Sequence, residues 1–542
     1  MEPLSPAVLY SQPTDKTAAQ STETFCNFVM AVESQPVVLD LARSKYAGLL
    51  VVIALVTVLI RYIPRKANLP RYGTHSGLLG SWYDSLDYLK DSAGVLSAGY
   101  EKAIFEAWTI LSDPHSCPMV HCCAAQVHRR DTHSTIDSFV CQRSGNRSGY
   151  TISPVVETEK FHFHTIKTHL TPNLERMIDD IRDEISLAFD DEIGNPADWK
   201  AVVMSRAAHR IATRSANRLL VGSPLCRNEE YLQMSIKYTI DVFGGADKLR
   251  SWPAFLRPIV TRLVTEVGER QQVARKHLLP YIQERLWQQA SKKEKSPRNK
   301  PMDSLQWIID VAPPEELKNP ENLMYRMLHV NVAAVHTTGL TYHNCMFDLA
   351  LSTDIHAELR NEINDAVTTH SWTGQALARM ARMRKLDSFM LESQRLAPIS
   401  SSQFTRLVKE DFTFSDGTTV PKGSYVFIPM HAMSLDDEIY PDASKFDPFR
   451  FSRLRELPGN ENRYQFVTTS PTHINFGHGK DACPGRFFAS QEIKLLLAHT
   501  LLNYDVCLED PSGGLPKPSW YDRSRKPNQT ARVLFRSRRD NH

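Results

Sequence analysis

Cys483 stands in the run Phe476-Gly477-His478-Gly479-Lys480-Asp481-Ala482-Cys483-Pro484-Gly485. An apolar-periodic stretch follows at once, from Arg486 through Phe487, Ile493, Leu496 and Leu497 to Leu501. A thiol on a tight loop feeding the start of a helix meets free backbone N–H groups, which favour its thiolate. Gly477 and Gly479 permit turns closed to other residues and leave room for a flat ligand to approach. Phe476 can pack against such a ligand from below. The plain alternative is a buried structural cysteine beside a glycine turn.

Two further runs carry residue types suited to chemistry. Ala333-Ala334-Val335-His336-Thr337-Thr338 lies in the middle of a stretch opened by Asn319-Pro320-Glu321, a capping Asn followed by Pro at the first helical position. The helix is expected to reach about Ala350. Small side chains clear a path along it for something flat, and the Thr337 hydroxyl can bond the Ala333 carbonyl and bend the helix locally. A satisfied core threonine is the alternative. Glu392-Ser393-Gln394-Arg395 puts a carboxylate and a guanidinium on one helical face, a pair that on a surface contributes only about 0.3 kcal/mol. Downstream comes Phe446-Asp447-Pro448-Phe449-Arg450-Phe451.

In this order and spacing the runs resemble the motifs of the cytochrome P-450 superfamily, in its filamentous-fungal, membrane-anchored type. The cysteine run is similar to the haem-binding loop F-x-x-G-x-R/H-x-C-x-G. The resemblance implies that Cys483 is the axial thiolate of a haem b iron, with Phe476, Gly479 and Gly485 among the cofactor-binding residues. Such a thiolate donates electron density that favours O–O cleavage. Asp481 departs from the pattern, placing a carboxylate where Arg or His usually faces a haem propionate. The helix run resembles the oxygen-binding groove A/G-G-x-D/E-T, which makes Thr337 the threonine that helps proton delivery to dioxygen. His336 replaces the usual acid, and an imidazole can relay protons near neutral pH. Glu392, Arg395 and Arg450 resemble the buried triad of E-x-x-R and F-x-P-E-R-F, counted here with the cofactor-binding residues because it locks the core beneath the haem. A guanidinium fork suits this bidentate work better than lysine; Phe449 replaces the motif's Glu. The resemblance also implies that Arg406 reaches a haem propionate and that Ile399 to Gln403 line the substrate cavity. It covers roughly residues 46–110 and 150–542.

The elements around these runs fit a mainly α fold with a small β-rich region, which by the resemblance is the cytochrome P-450 fold, preceded by one N-terminal transmembrane helix. Ile178 to Phe189 has helical periodicity. Phe412-Thr413-Phe414 and Tyr425-Val426-Phe427-Ile428 read as strands flanking the turn Ser415-Asp416-Gly417, and Val533-Leu534-Phe535 as a late strand. The chain has 542 residues, 42% hydrophobic and 23% charged, enough for an ample core. A net charge of +3 gives no reason to expect nucleic acid as a partner. Nine cysteines, an odd number without a disulfide-like framework, suit a reducing compartment.

Three parts are expected: a polar tail over 1–45, an anchor over 46–63, and a catalytic domain over 64–542. Tyr46 to Ile60 is uncharged and extends to Ile63 if Arg61 snorkels, although a buried core helix is the alternative. The length of chain before it argues against a cleaved signal peptide. Arg61, Arg65, Lys66 and Arg71 outweigh Arg43 and Lys45, which leaves the catalytic domain cytosolic, and the short span suits the endoplasmic reticulum membrane. Residues 112–150 are atypical: Cys117, Cys122, Cys123 and Cys141 mix with His115, His121, His128 and His133, without apolar alternation or a helical stripe. No closed C-x-x-C pair supports a zinc site there. The stretch reads as a mis-spliced or frameshifted exon of the gene model.

The resemblance implies a monooxygenase that inserts one atom of dioxygen into a lipophilic small molecule, with electrons from NADPH through a membrane-bound NADPH-cytochrome P-450 reductase. The fungal likeness points to secondary-metabolite biosynthesis, with a terpenoid or indole-terpenoid substrate. Two other classes compete: a haem-thiolate isomerase or dehydratase that uses no reductase, and a catalytically disabled haem protein.

Overall fold

The computed structural model describes residues 87–88, 90–110, 151–250, 256–291, 300–370, 380–407, 410–413, 419–422, 425–479 and 482–538. All lie in the unit Leu69–His542. The expected anchor at 46–63 and the atypical stretch 112–150 fall outside the described residues. Among the described residues, no helix is long and apolar enough to cross a membrane.

The principal helices are α1 (Ser92–Ile110), α2 (Phe161–Glu192), α3 (Met204–Leu220), α4 (Glu229–Arg250), α5 (Val267–Ala290), α6 (Pro320–Leu351), α7 (His356–His370), α8 (Arg384–Leu396) and α9 (Arg486–Asn503). The expected periodicity at Ile178 to Phe189 belongs to α2, which runs through Pro172 and buries Ile178, Ile181, Ile185 and Phe189 on one stripe. Helix α6 is mostly buried, with Val332, Val335, Tyr342 and Met346 among its buried apolar residues and Asn331, Asn344 and Asp348 among its buried polar ones. It begins at Pro320 as the sequence implies, but the Asn319 side chain makes no capping bond.

Two clusters of buried side chains share α6. One gathers α2, α3, α8 and α9 around its second half, and the other gathers α4 and α5 around its first half. Polar pins fix its rotation: Asn331 Nδ2 donates to Asn217 Oδ1 of α3 at 3.1 Å, and the Tyr342 and Thr500 hydroxyls meet at 2.9 Å on α9. Helix α3 comes closest at Gly339, where a Cβ would stand 3.2 Å from Cδ2 and 3.4 Å from Cα of His209.

Nine short strands pair antiparallel among the described residues. β1 (Lys200–Val203) and β6 (Tyr504–Leu508) flank β9 (Arg532–Ser537), which contains the expected Val533-Leu534-Phe535. β2 (Gln403–Leu407) pairs with β5 (Tyr425–Ile428), and β3 (Phe412–Thr413) with β4 (Thr419–Val420). The two expected strands, Phe412-Thr413 and Tyr425–Ile428, are both present but pair with different partners. Phe412 faces Val420, while Tyr425–Ile428 returns to the strand that follows α8. β7 (Ser519–Tyr521) and β8 (Ser524–Lys526) form a hairpin whose two-residue loop has Asp522 at φ +48°, and Ser524 bridges to Ser400.

The close approach of α3 and α6 predicts that Gly339→Leu destabilises the protein by about 2 kcal/mol through overpacking, read as a fall in the thermal midpoint. An unchanged midpoint would contradict this packing.

Candidate active site

A cavity of about 1230 Å³ is lined by Phe476, Gly477 and Cys483 of the cysteine loop, by Ala333, His336 and Thr337 of α6, and by Phe404 and Arg406 of β2. The cysteine run and the α6 run therefore converge on one space, joined there by β2. Of the expected lining stretch, Ile399, Ser400 and Gln403 reach the cavity, whereas Ser401 and Ser402 are buried elsewhere.

The loop holds its own shape. The Cys483 N–H donates to the Phe476 carbonyl at 2.7 Å, and the Gly477 N–H to the Ile474 carbonyl at 2.8 Å. Gly477 and Gly479 sit at φ +72° and +70°, a conformation side chains resist. The Phe476 ring meets Phe466 edge-on at 5.2 Å. Gly485 precedes α9 at φ −86°, and a Cβ there would only touch Cys483 Sγ at 3.9 Å. Asp481 and Lys480 lie outside the described residues. Burial pushes the Cys483 thiol up from its ordinary value, and the N–H groups of Gly485 and Arg486 and the Arg486 charge pull only partly the other way. The helix start alone therefore does not make the thiolate; a bound metal would deprotonate it.

On α6 the Thr337 hydroxyl donates to the Ala333 carbonyl at 2.8 Å, and both residues face the cavity one turn apart. His336 departs from its expected relay role. Its Nε2–H donates to the Ile236 carbonyl of α4 at 2.8 Å, and its ring lies 4.9 Å from His209. Burial, then His209, lowers its pKa to about 4, so the imidazole stays neutral at neutral pH with that proton engaged.

The acid that sequence reading overlooked is Glu492 on α9. Its carboxyl is buried, accepts from the Ser215 hydroxyl at 2.5 Å and lies beside Thr338, which lines the cavity. Burial pushes its pKa to about 8, beyond what the Ser215 and Thr338 hydroxyls offset, so it holds a proton at neutral pH. The available signal was an acid beside Ile493 in the apolar-periodic stretch that follows the cysteine loop.

Glu392, Arg395 and Arg450 come together but do not line the cavity. Arg395 grips the buried Glu392 carboxylate bidentately, Nη2 to Oε1 at 2.7 Å and Nε to Oε2 at 2.8 Å. Arg450 Nε and the Asp447 N–H also donate to Oε1, at 3.2 and 3.1 Å. The spare Arg395 donors reach the Ser434 and Ala443 carbonyls, and those of Arg450 reach Pro441, Asp442 and Lys445. Their assignment as cofactor-binding residues is corrected: they tie α8 to the chain leading toward the cysteine loop. Arg406 does line the cavity, with Nη1 on the Thr405 carbonyl at 3.1 Å and its guanidinium 5.3 Å from the Phe404 ring centre.

These residues fit haem. A single thiol on the wall of a large cavity suits a metal that brings its own macrocycle. The cavity is roomy, with a buried unpartnered acceptor on each of Asn475 and Gln394 in its wall.

Two outcomes follow from these buried groups. Glu392→Ala leaves two guanidinium groups uncompensated and costs about 3 kcal/mol in urea unfolding. For Glu492 the folded pKa lies above the unfolded one, so wild-type stability falls as pH rises from the ordinary carboxyl range toward 8. Glu492→Gln removes that slope; parallel pH–stability curves for the two proteins would contradict the neutral acid.

The family model described as Cytochrome P450 matches residues 124–532, beginning inside the 112–150 stretch. Cytochrome P450 monooxygenase AN1598 of Emericella nidulans is 34% identical over 499 residues, 91% of each chain. Cytochrome P450 monooxygenase 151 of Postia placenta is 34% identical over 512 residues, 92% of this chain and 99% of that one. Cytochrome P450 monooxygenase olcJ of Penicillium canescens is 36% identical over 434 residues, 79% of this chain and 77% of that one. Among solved structures, the crystal structure of a cytochrome P450 (CYP102L1) superposes with a TM-score of 0.54 at 19% identity, covering 74% of this chain and 84% of that one, which shows the shared fold.

Proposed function

This chain belongs to the cytochrome P450 family, and on that premise we propose that it is a membrane-anchored fungal monooxygenase of lipophilic secondary metabolites. Family membership itself makes the chain a haem-dependent monooxygenase that uses dioxygen, a redox partner and a small-molecule substrate. Its electron donor is NADPH-cytochrome P-450 reductase and its substrate a terpenoid or indole-terpenoid. Residues 46–63 serve as a single-pass anchor in the endoplasmic reticulum, with 64–542 on the cytosolic face. The fungal sources of the relatives and the apolar run from Tyr46 to Ile60 support this reading.

The observation that carries the catalytic reading is the Cys483 thiol and the Thr337 hydroxyl lining one cavity. Cys483 would hold the haem iron, the loop from Phe476 to Gly479 would seat the macrocycle, and Arg406 would meet a propionate. Bound there, haem supplies dioxygen activation and the insertion of one oxygen atom into a C–H or C=C bond. The chain's own work is to exclude water, position the substrate and present protons. Thr337 Oγ1 offers its hydroxyl at the wall, and Glu492 holds a proton beside Thr338. His336 keeps its Nε2 proton on Ile236 and shapes the groove. An isomerase or dehydratase would activate no dioxygen and draw no electrons from NADPH, and the resemblance of the Thr337–Ala333 groove to an oxygen-binding groove favours the monooxygenase.

In microsomes with the reductase, Thr337→Ala is expected to keep NADPH consumption while diverting it to hydrogen peroxide, several-fold more per NADPH than wild type. Unchanged coupling would remove Thr337 from the mechanism. NADPH-independent turnover would favour the isomerase.

A further inference from the structure

The cavity wall carries five cationic side chains among the described residues, Arg206, Arg210, Arg406, Arg525 and Lys526, and no carboxylate. Most have an evident answer. Arg210 pairs with Glu192 and Glu229, Arg206 is exposed, and Lys526 is exposed over the Tyr521 ring at 4.5 Å. Arg406 bonds the Thr405 carbonyl and stacks near the Phe404 ring.

Arg525 differs. It is half-buried on β8, and its guanidinium makes a single hydrogen bond among the described residues, Nη1 to Asn344 Oδ1 at 2.8 Å. No carboxylate there forms an ion pair with it. The acid whose charge reaches it, Asp348, is buried one turn beyond Asn344 and takes the Ser393 hydroxyl at 2.5 Å. Burial pushes Asp348 up to about 7, so near neutral pH it supplies only part of a counter-charge. A desolvated cation without a full partner is costly and calls for an anion.

The arm is also pre-set. The Arg525 N–H donates to the Ile399 carbonyl at 3.2 Å, Arg525 faces Trp520 across the hairpin, and Ser524 bridges to Ser400. Asn344 is fixed in turn by Nδ2 on the Ala397 carbonyl at 3.0 Å. Asn344 lies two turns after Thr337 on the same stripe of α6, about 10 Å along the axis.

We propose that Arg525 anchors a carboxylate of the molecule to be oxidised, so that the substrate class is a lipophilic organic acid whose carboxylate sits about two α6 turns from Thr337. The guanidinium fork matches a carboxylate bidentately, and holding the charged end fixes which carbon of the apolar body reaches the reacting centre. This rests on the haem-monooxygenase reading of the same cavity. A haem propionate is the other source of a carboxylate, and the test separates the two.

The full-length haem-loaded protein is titrated with ω-(imidazol-1-yl)alkanoic acids of graded chain length and with their methyl esters, following the Soret shift. Imidazole binds the iron whatever the natural substrate, so the tail alone reports on the wall. At the best length the acid is expected to bind about tenfold tighter than its ester, although the ester is the more lipophilic. Arg525→Gln abolishes that preference with haem content unchanged, and Arg525→Lys, which keeps charge without the fork, retains part of it. Equal affinity of acid and ester at every length in the wild type overturns the proposal, whatever the variants do. A preference that survives Arg525→Gln overturns it as well. If Arg525 instead held a propionate, the wild type would not discriminate and Arg525→Gln would lose haem. Absence of any Soret shift, esters included, would overturn the haem reading and the anchor with it, and is distinct from equal affinity.

Discussion

The Glu392 carboxylate, buried and gripped by two arginines, is the constraint on which the proximal half of this fold depends. One charged oxygen accepts from Arg395, Arg450 and the Asp447 N–H, and the guanidinium donors left over fasten five backbone carbonyls between Ser434 and Lys445. Those carbonyls belong to irregular chain with little ladder of its own, so they need side-chain donors once buried. Desolvating such a set is expensive, and its value lies in specifying one path for the segment rather than in net stability. That path delivers the chain to the cysteine loop, where two glycines and the Cys483 N–H set the final turn before α9.

The cavity is lined by α6 and by the start of α9. Both helices are core elements, which is why the groups they present are held in place. Thr337 is backed by its own helix through Ala333, and Cys483 by Phe476. The same burial neutralises nearby titratable groups in opposite ways. His336 loses affinity for its second proton, while Glu492 keeps the one it has. A neutral interior with a proton held on a carboxyl is a different arrangement from the imidazole relay that residue types alone suggest. Arg525 is the exception in the wall, a cation left with half an answer.

Sequence legibility follows the range of the interactions. The cysteine loop was readable because its geometry is local: glycines that must take positive φ, a cysteine, and a helix start within ten residues. The Glu392–Arg395 pair was readable as an i, i+3 pair, and only its resemblance to a known motif said that it would be buried. Its distance from the cavity was not readable, since that depends on how α8 packs. The engagement of His336 was not readable because its partner is the Ile236 carbonyl, 100 residues away in the chain. Glu492 and Arg525 gain their character wholly from burial against other elements. The pairing of Tyr425–Ile428 with β2 rather than across the nearer turn was hidden for the same reason, because a nearby turn signal says nothing of a strand arriving after α8.

Everything proposed for this cavity requires that it hold haem through the sulfur of Cys483. The most direct test is the reduced, carbon-monoxide-bound absorption spectrum of the full-length protein in microsomes, recorded beside Cys483→Ala at matched expression. The account predicts a red-shifted thiolate Soret band in the wild type that is absent from the variant. A band that persists without the Cys483 sulfur, or no such band in wild-type protein that is expressed and folded, would contradict it.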